Sequence, residues 1–205
     1  EGDVRVELQA DEDRDATRAM MACQDHPGIF SRLAGALSLV GANIVDARTY
    51  TSKDGFATSV FWLQDGEGHP YEPSRLPRLQ TMIEKILRGE VATRRALEGH
   101  EIKKRERRFQ VLTNISFDND GSDIYTIIEV DTRDRPGLLY DLTQVMSQSN
   151  IYISHAVIAT YGAQVVDVFY VKDLFGLKLW SKPKQDALAA KLREAVSRAA
   201  ARAGA

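Results

Sequence analysis

The sequence predicts an α+β chain built as two tandem βαββαβ units, each a four-stranded antiparallel sheet with two helices on one face. Three observations carry this reading. The chain repeats itself at a period near 109, each copy opens on a short apolar run halted by Asp-x-Pro-Gly, and each then passes through the same order of hydrophobic periods. A shift of 109 lays Asp25 on Asp134, Pro27 on Pro136, Gly28 on Gly137, Leu33 on Leu142 and Ala47 on Ala156. After Thr51 the shift becomes 108, and "SVFWLQD" (59–65) lies over "DVFYVKD" (167–173). The missing residue falls in a turn, where repeats tolerate length change.

The alternating segment "VRVELQ" (4–9) precedes the first copy and needs a partner; it is expected at a sheet edge, in a position left empty in the second unit. Residues 17–23 and 125–131 read as buried strands. Pro27 and Pro136 stop them and suit a first helical turn, because proline cannot donate to a strand ladder. In the helices that follow, Ile29, Leu33, Leu37 and Val40 share one face, as do Leu138, Leu142 and Val145, with Gly41 and Asn150 as ending residues. Two hairpins come next, 43–51 with 56–64 and 151–160 with 164–172, around the tight turns "SKDG" and "YGA".

A second helix closes each copy. Ser74 is a candidate N-cap with Pro77 in the first turn, and Leu76, Leu79, Ile83, Ile86 and Leu87 form the stripe; Ser181 and Pro183 open the counterpart, striped by Leu188, Leu192, Ala195 and Val196. The segment 108–117 is expected to close the first sheet, with nothing strand-like after the last helix. This divides the chain into a leader with an extra edge strand (1–15), a first unit including linker and closing strand (16–118) and a second unit (119–205).

Composition excludes several classes. A formal charge of −2 across 205 residues gives no overall electrostatic case for nucleic acid or an anionic membrane. No apolar run approaches the roughly 20 residues that span a bilayer. The single cysteine, Cys23, cannot form an internal disulfide, which fits a cytoplasmic setting. It ends a buried strand and reads as core. The four histidines show no metal-ligand spacing, so no metal or other cofactor is expected in this chain. The basic stretch "HEIKKRERR" (100–108) lacks interleaved aromatics and reads as a solvated linker. A start at Glu1, followed by the charged "DEDRD", suggests a piece of something longer.

A βαββαβ unit whose first turn is Asp-x-Pro-Gly resembles the ACT domain, a ferredoxin-like module that binds small regulatory molecules. The combination of "GANIVDA", "DRPGLLYDLT", "ATYG" and "DVFYVKDLFGLK" resembles, more narrowly, the C-terminal tail of the bacterial bifunctional uridylyltransferase/uridylyl-removing enzymes of PII nitrogen signalling. The resemblance covers almost the whole chain from Thr17. It implies a regulatory tail that senses glutamine and switches a preceding nucleotidyltransferase and a metal-dependent HD-type hydrolase, the parent enzyme using Mg. This chain, lacking both, is expected to be inert chemically. The implied partners are glutamine, PII, the catalytic domains and a possible second copy through the sheets.

The residues suit such a role on their own terms. Gly28 and Gly137 lack a Cβ and admit a ligand close to the backbone. The first helical N–H groups, at Ile29 and Phe30 or Leu138 and Leu139, are expected to be unpaired; they carry the positive dipole end and suit a carboxylate. Asp25 or Asp134 can hold an ammonium or cap its own helix. Asn43 beside Ile44, or Asn150 beside Ile151, can offer an amide to a glutamine side chain. His26 and Arg135 fill the variable position of the two turns, Pro27 and Pro136 the next; His26 reads equally as a loop-surface residue. The alternative from another class is a ligand-free platform that docks PII or the catalytic domains.

Overall fold

The computed structural model describes residues 4–26, 28–89, 112–135, 137–161 and 163–202. Pro27, Pro136, Gly162, the expected linker at 100–108 and the start of the expected closing strand lie outside them. Eight strands and four α-helices follow in order among the described residues: β1 (Arg5–Asp11), β2 (Ala16–Gln24), α1 (Ile29–Leu39), β3 (Asn43–Thr51), β4 (Phe56–Gln64), α2 (Leu76–Leu87), β5 (Asn114–Asp118), β6 (Thr126–Arg133), α3 (Leu138–Gln148), β7 (Tyr152–Tyr161), β8 (Gln164–Lys172) and α4 (Lys182–Arg202).

All eight strands join in one antiparallel sheet, ordered β1-β2-β4-β3-β7-β8-β6-β5. Its halves are the two units. Two expected strand partners are corrected. The leader strand β1 pairs with β2, from Arg5↔Ala22 to Asp11↔Ala16, and so fills the outer position of the first half, not of the second. The strand within 108–117 does not close the first sheet: β5 pairs with β6, from Asn114↔Asp131 to Asp118↔Ile127. Each unit therefore runs ββαββα, its edge strand arriving first. The physical reason is loop closure, because a hairpin to the very next strand confines far less chain than a return across the unit. The expected division at 15 and 118 accordingly separates both edge strands from their sheet partners. A smaller correction concerns Ser74, which lies in a single 3-10 turn (Pro73–Arg75); α2 is N-capped at Arg75 with no side-chain cap bond.

The halves meet at β3 and β7 around a local two-fold axis. Ala47 pairs with Ala156, its own repeat counterpart, flanked by Asp46↔Val157 and Arg48↔His155. Both alanines are fully buried. Each strand carries the same bulge just before this alanine, at Ile44/Asp46 and Ile153/His155, and a bulge re-aims the next side chain. The counterparts Asp46 and His155 touch across the axis, Oδ1 to Nε2 at 2.9 Å, and Asp46 also pairs with Arg14. Arg14 in turn lies 4.0 Å over the ring of Trp62.

Above the sheet, α1 packs on α3. Buried Ser31 donates from Oγ to Gln144 Oε1 at 2.8 Å. One continuous apolar core crosses the seam, with Leu33, Leu37, Phe61 and Ile83 from the first unit and Ile128, Leu142, Phe169 and Leu192 from the second. Apolar burial on this scale, spanning both units, makes them one body rather than beads on a string. Among the described residues no helix is long and apolar enough to cross a membrane.

Candidate functional site: a cleft between the two units

The β2–α1 turn of the first unit faces the end of α3 and the start of β7 in the second, across a cleft of about 620 Å³. That volume falls in the usual range of small-molecule sites. Its first wall carries Asp25, His26, Gly28, Ile29 and Phe30; its second carries Thr143, Ser147, Asn150 and Ile151. The site thus brings together residues of both units, one contributing the expected turn and the other a helix end in which Asn150 and Ile151 were expected and Thr143 and Ser147 were not.

The turn is held locally. The Asp25 N–H donates to Gly55 O at 2.8 Å, and Thr51 Oγ1 donates to Asp25 Oδ2 at 3.2 Å. Neither helix has a side-chain cap, so Asp25 does not cap α1. Gly28 and Gly137 adopt left-handed φ of 85° and 78°. One expectation is corrected here. The Ile29 N–H is not bare but donates to His26 O at 3.1 Å, and the Leu138 N–H donates to Arg135 O at 3.2 Å. A left-handed residue folds the chain back so that the first helical amide closes a turn on the carbonyl three residues before it.

The opposite wall explains Asn150. As expected of a helix-ending residue, it sits left-handed at φ 57°, just past the end of α3, its N–H donating to Ser147 O at 3.0 Å. Its repeat counterpart is Gly41, at φ 78°. An asparagine tolerates this conformation and keeps an amide where glycine has none. The walls approach closely, since a Cβ added at Gly28 would lie 3.1 Å from Ser147 Oγ. Gly28→Ala is expected to lose about 1–2 kcal/mol of stability, read from the urea midpoint, because alanine resists this φ. An unchanged midpoint would show that the turn relaxes freely.

The second turn is built differently. Asp134, Arg135, Gly137, Leu138 and Leu139 do not line the cleft, nor do Asn43 and Ile44, which open β3 opposite Gln64 and Leu63. Arg135 donates to Asp141 Oδ2 at 2.7 Å and to the α4 carbonyl of Ala195 at 3.5 Å. In the first unit the corresponding tie comes from inside the helix, where Arg32 donates to the α2 carbonyl of Leu87. Arg32 makes its tie from within the helix, whereas Arg135 makes its own from the turn itself.

The units also differ behind the turns. Ser59 shares a 3.0 Å hydrogen bond with Thr49, whereas the counterpart positions hold Asp167 and Ile158. Asp167 is 1% exposed and its Oδ1 has no hydrogen-bond partner. Burial, helped by the negative charge of Asp134, pushes its carboxyl up to about 8. Cys23 is buried, and that burial raises its thiol, as fits a core residue. Among the described residues no group of three or more His, Cys, Asp or Glu can hold a metal.

Sequence reasoning missed much of the cleft, including Thr143 and Ser147 on α3, Thr49, Tyr50 and Thr51 on β3, then Tyr125, Tyr152 and Ser154, with Lys172 and Asp173 at the end of β8. The repeat offered no signal for them, because the two walls face one another only through the seam.

Comparison with known proteins matches the same two regions. An ACT domain family model covers residues 17–72, and the model for an ACR9-like, ACT-like domain covers 114–201, starting at β5. The chain is 65% identical over 205 residues to a bifunctional uridylyltransferase/uridylyl-removing enzyme of Ruegeria pomeroyi, covering 100% of this chain and 23% of that protein. It is 67% identical over 204 residues to the same-named enzyme of Cereibacter sphaeroides, 99% of this chain and 22% of that one. For that of Azospirillum brasilense the values are 44% over 183 residues, 87% and 20%. The chain spans less than a quarter of the length of these relatives. With both of its repeats matched by ACT-type models and each folded as a sheet under two helices, the chain belongs to the ACT-domain family.

Proposed function

We propose that this chain is the regulatory part of a bifunctional uridylyltransferase/uridylyl-removing enzyme, and that the cleft between its units senses free glutamine. The observation that carries the reading is the convergence of the Asp25–Phe30 turn and Asn150 on one cleft. The α1 N-terminus offers the positive dipole end to the ligand carboxylate, Asp25 offers a carboxylate to its ammonium, and Asn150 an amide to its side chain. Glutamate presents a charge where glutamine presents an amide, so an amide-for-amide contact separates the two.

Because the walls come from different units, a ligand touching both binds one arrangement of the units better than another. Only that difference in affinity can switch an attached domain. The switched activities are the nucleotidyltransferase, with its Mg, and the hydrolase acting on PII, in the part of the relatives this chain does not span. A cytoplasmic setting accompanies this reading.

Calorimetric titration tests it. We expect about one glutamine per chain, since the first turn lines the cleft and the second does not, and little heat from glutamate. Asn150→Gly keeps the left-handed backbone and removes only the amide, so it should weaken glutamine binding by about tenfold or more at unchanged melting temperature. No heat from glutamine with the folded chain would end the sensing account.

A further inference from the structure

The loop between β8 and α4 has a close structural twin in the first unit. Asp173 Oδ1 accepts the N–H groups of Phe175 and Leu177 at 2.8 and 2.9 Å. Its own N–H donates to Leu177 O, and the Gly176 N–H to Asp173 O. In the first unit Asp65 Oδ1 likewise accepts from Glu67 and His69, its N–H donates to His69 O, and the Gly68 N–H to Asp65 O. The backbone device is the same, and the tips are chemical opposites. One presents Gly66, Glu67 and His69; the other presents Leu174, Phe175 and Leu177, exposed by 53%, 78% and 60%, with Trp180 at 67%.

A scattered exposed leucine is ordinary, whereas four large apolar side chains within seven residues are a surface waiting for cover. The polar twin shows that the turn itself does not require them. Nor is the loop a loose flap. Leu179 N–H donates to Thr126 Oγ1 at 2.8 Å, Gln185 Nε2 to Leu179 O at 2.6 Å, and Lys178 Nζ to Asn119 O at 2.7 Å. A pre-organised apolar tip loses little freedom on docking.

We infer that this loop is a docking finger whose apolar tip is covered by the catalytic portion of the same polypeptide. The inference rests on the reading of this chain as the regulatory part of a longer enzyme. Relatives carry more than three quarters of their length outside the region matched here, so a tethered partner is at hand at high effective concentration. Charge narrows its chemistry. Between residues 172 and 186 stand Lys172, Lys178, Lys182 and Lys184 against Asp173 and Asp186, which calls for an apolar pocket with an acidic rim. A few side chains on a pinned turn suit a shaped protein pocket better than a lipid surface, which rewards a long amphipathic face. The finger also has a functional position. Leu174 and Gly176 line the cleft, so whatever seats on the tip closes the cleft mouth, and ligand and docking bias one another.

Hydrogen exchange in the full-length polypeptide tests this, with the polar twin as internal control. The amides of Phe175 and Leu177 and those of Glu67 and His69 have matched bonds, so after correction for intrinsic rates a difference reports cover. Exchange at 175–177 is expected to be about tenfold or more slower than at 67–69. Phe175→Glu with Leu177→Glu should abolish that difference and blunt the effect of glutamine on catalysis, with glutamine still bound. Equal exchange in the two loops of the wild type overturns the inference. So does protection that rises with protein concentration, which marks a second copy, or that needs added anionic vesicles, which marks lipid. If the wild type binds no glutamine, the sensing reading fails while the exchange comparison still decides docking.

Discussion

Phe61→Ala is expected to destabilise the chain by about 3–5 kcal/mol and also to weaken ligand binding in the cleft. Phe61 is fully buried at the centre of β4, and its ring lies 5.3 Å from that of Phe30, tilted by 39°. Phe30 is in the cleft wall. Truncation leaves a cavity that the surrounding strands cannot fill, and it removes the surface against which Phe30 is held. The repeat supplies the control. Phe169, the counterpart of Phe61, is equally buried but backs the second unit. Phe169→Ala should therefore lower the urea midpoint by a similar amount and leave the glutamine affinity of the folded fraction nearly unchanged. Equal losses of affinity in the two variants would show that the cleft wall does not depend on its own core.

Asp167 is expected to make the protein less stable as pH rises from about 4 to about 8. Its carboxyl, ordinarily at 3.8, is pushed up to about 8 by burial first and by Asp134 second. Across that window the folded chain keeps a proton that the unfolded chain releases, so stability is fully present at the acid end and is lost as pH climbs. The slope contributed is at most about 1.4 kcal/mol per pH unit. Asp167→Asn has nothing to titrate: it should match the wild type near pH 4 and exceed it by on the order of 4 kcal/mol at pH 7. Urea titrations at four pH values would read this directly, and parallel profiles for the two proteins would mean that the buried carboxyl is not held neutral. Asp11 acts in the opposite sense and at lower pH. Its carboxylate is held down mainly by the Trp62 indole N–H, at 2.9 Å, so what it contributes is lost only as pH falls.

The hairpin strands of the first unit were legible to the residue, at 43–51 and 56–64, and those of the second to within one residue. Their signal is local: alternating burial along a strand and turn residues between strands are written in consecutive positions. The same holds for α1 and α3, whose stripes begin just after the Asp-x-Pro-Gly turns. Half of the cleft was also visible, because a glycine before a helix and an acid before it announce a turn that a ligand can approach. The pairing of the Ile29 and Leu138 amides was not, since φ at Gly28 and Gly137 decides where the first N–H points and no residue type reports it.

By itself, then, the sequence determined that the chain is a duplicated α+β fold and where most of its strands and helices run, and it marked the two equivalent turns. Tertiary structure alone decided that β1 and β5 pair with their nearest neighbours, that the Asp25 turn meets Asn150 rather than Asn43, and that Arg135 ties the second turn to α3. The reason is distance along the chain. Periods and turns act between residues a few positions apart, whereas the cleft depends on a seam that pairs Ala47 with Ala156, and such a contact forms only when two already folded surfaces fit.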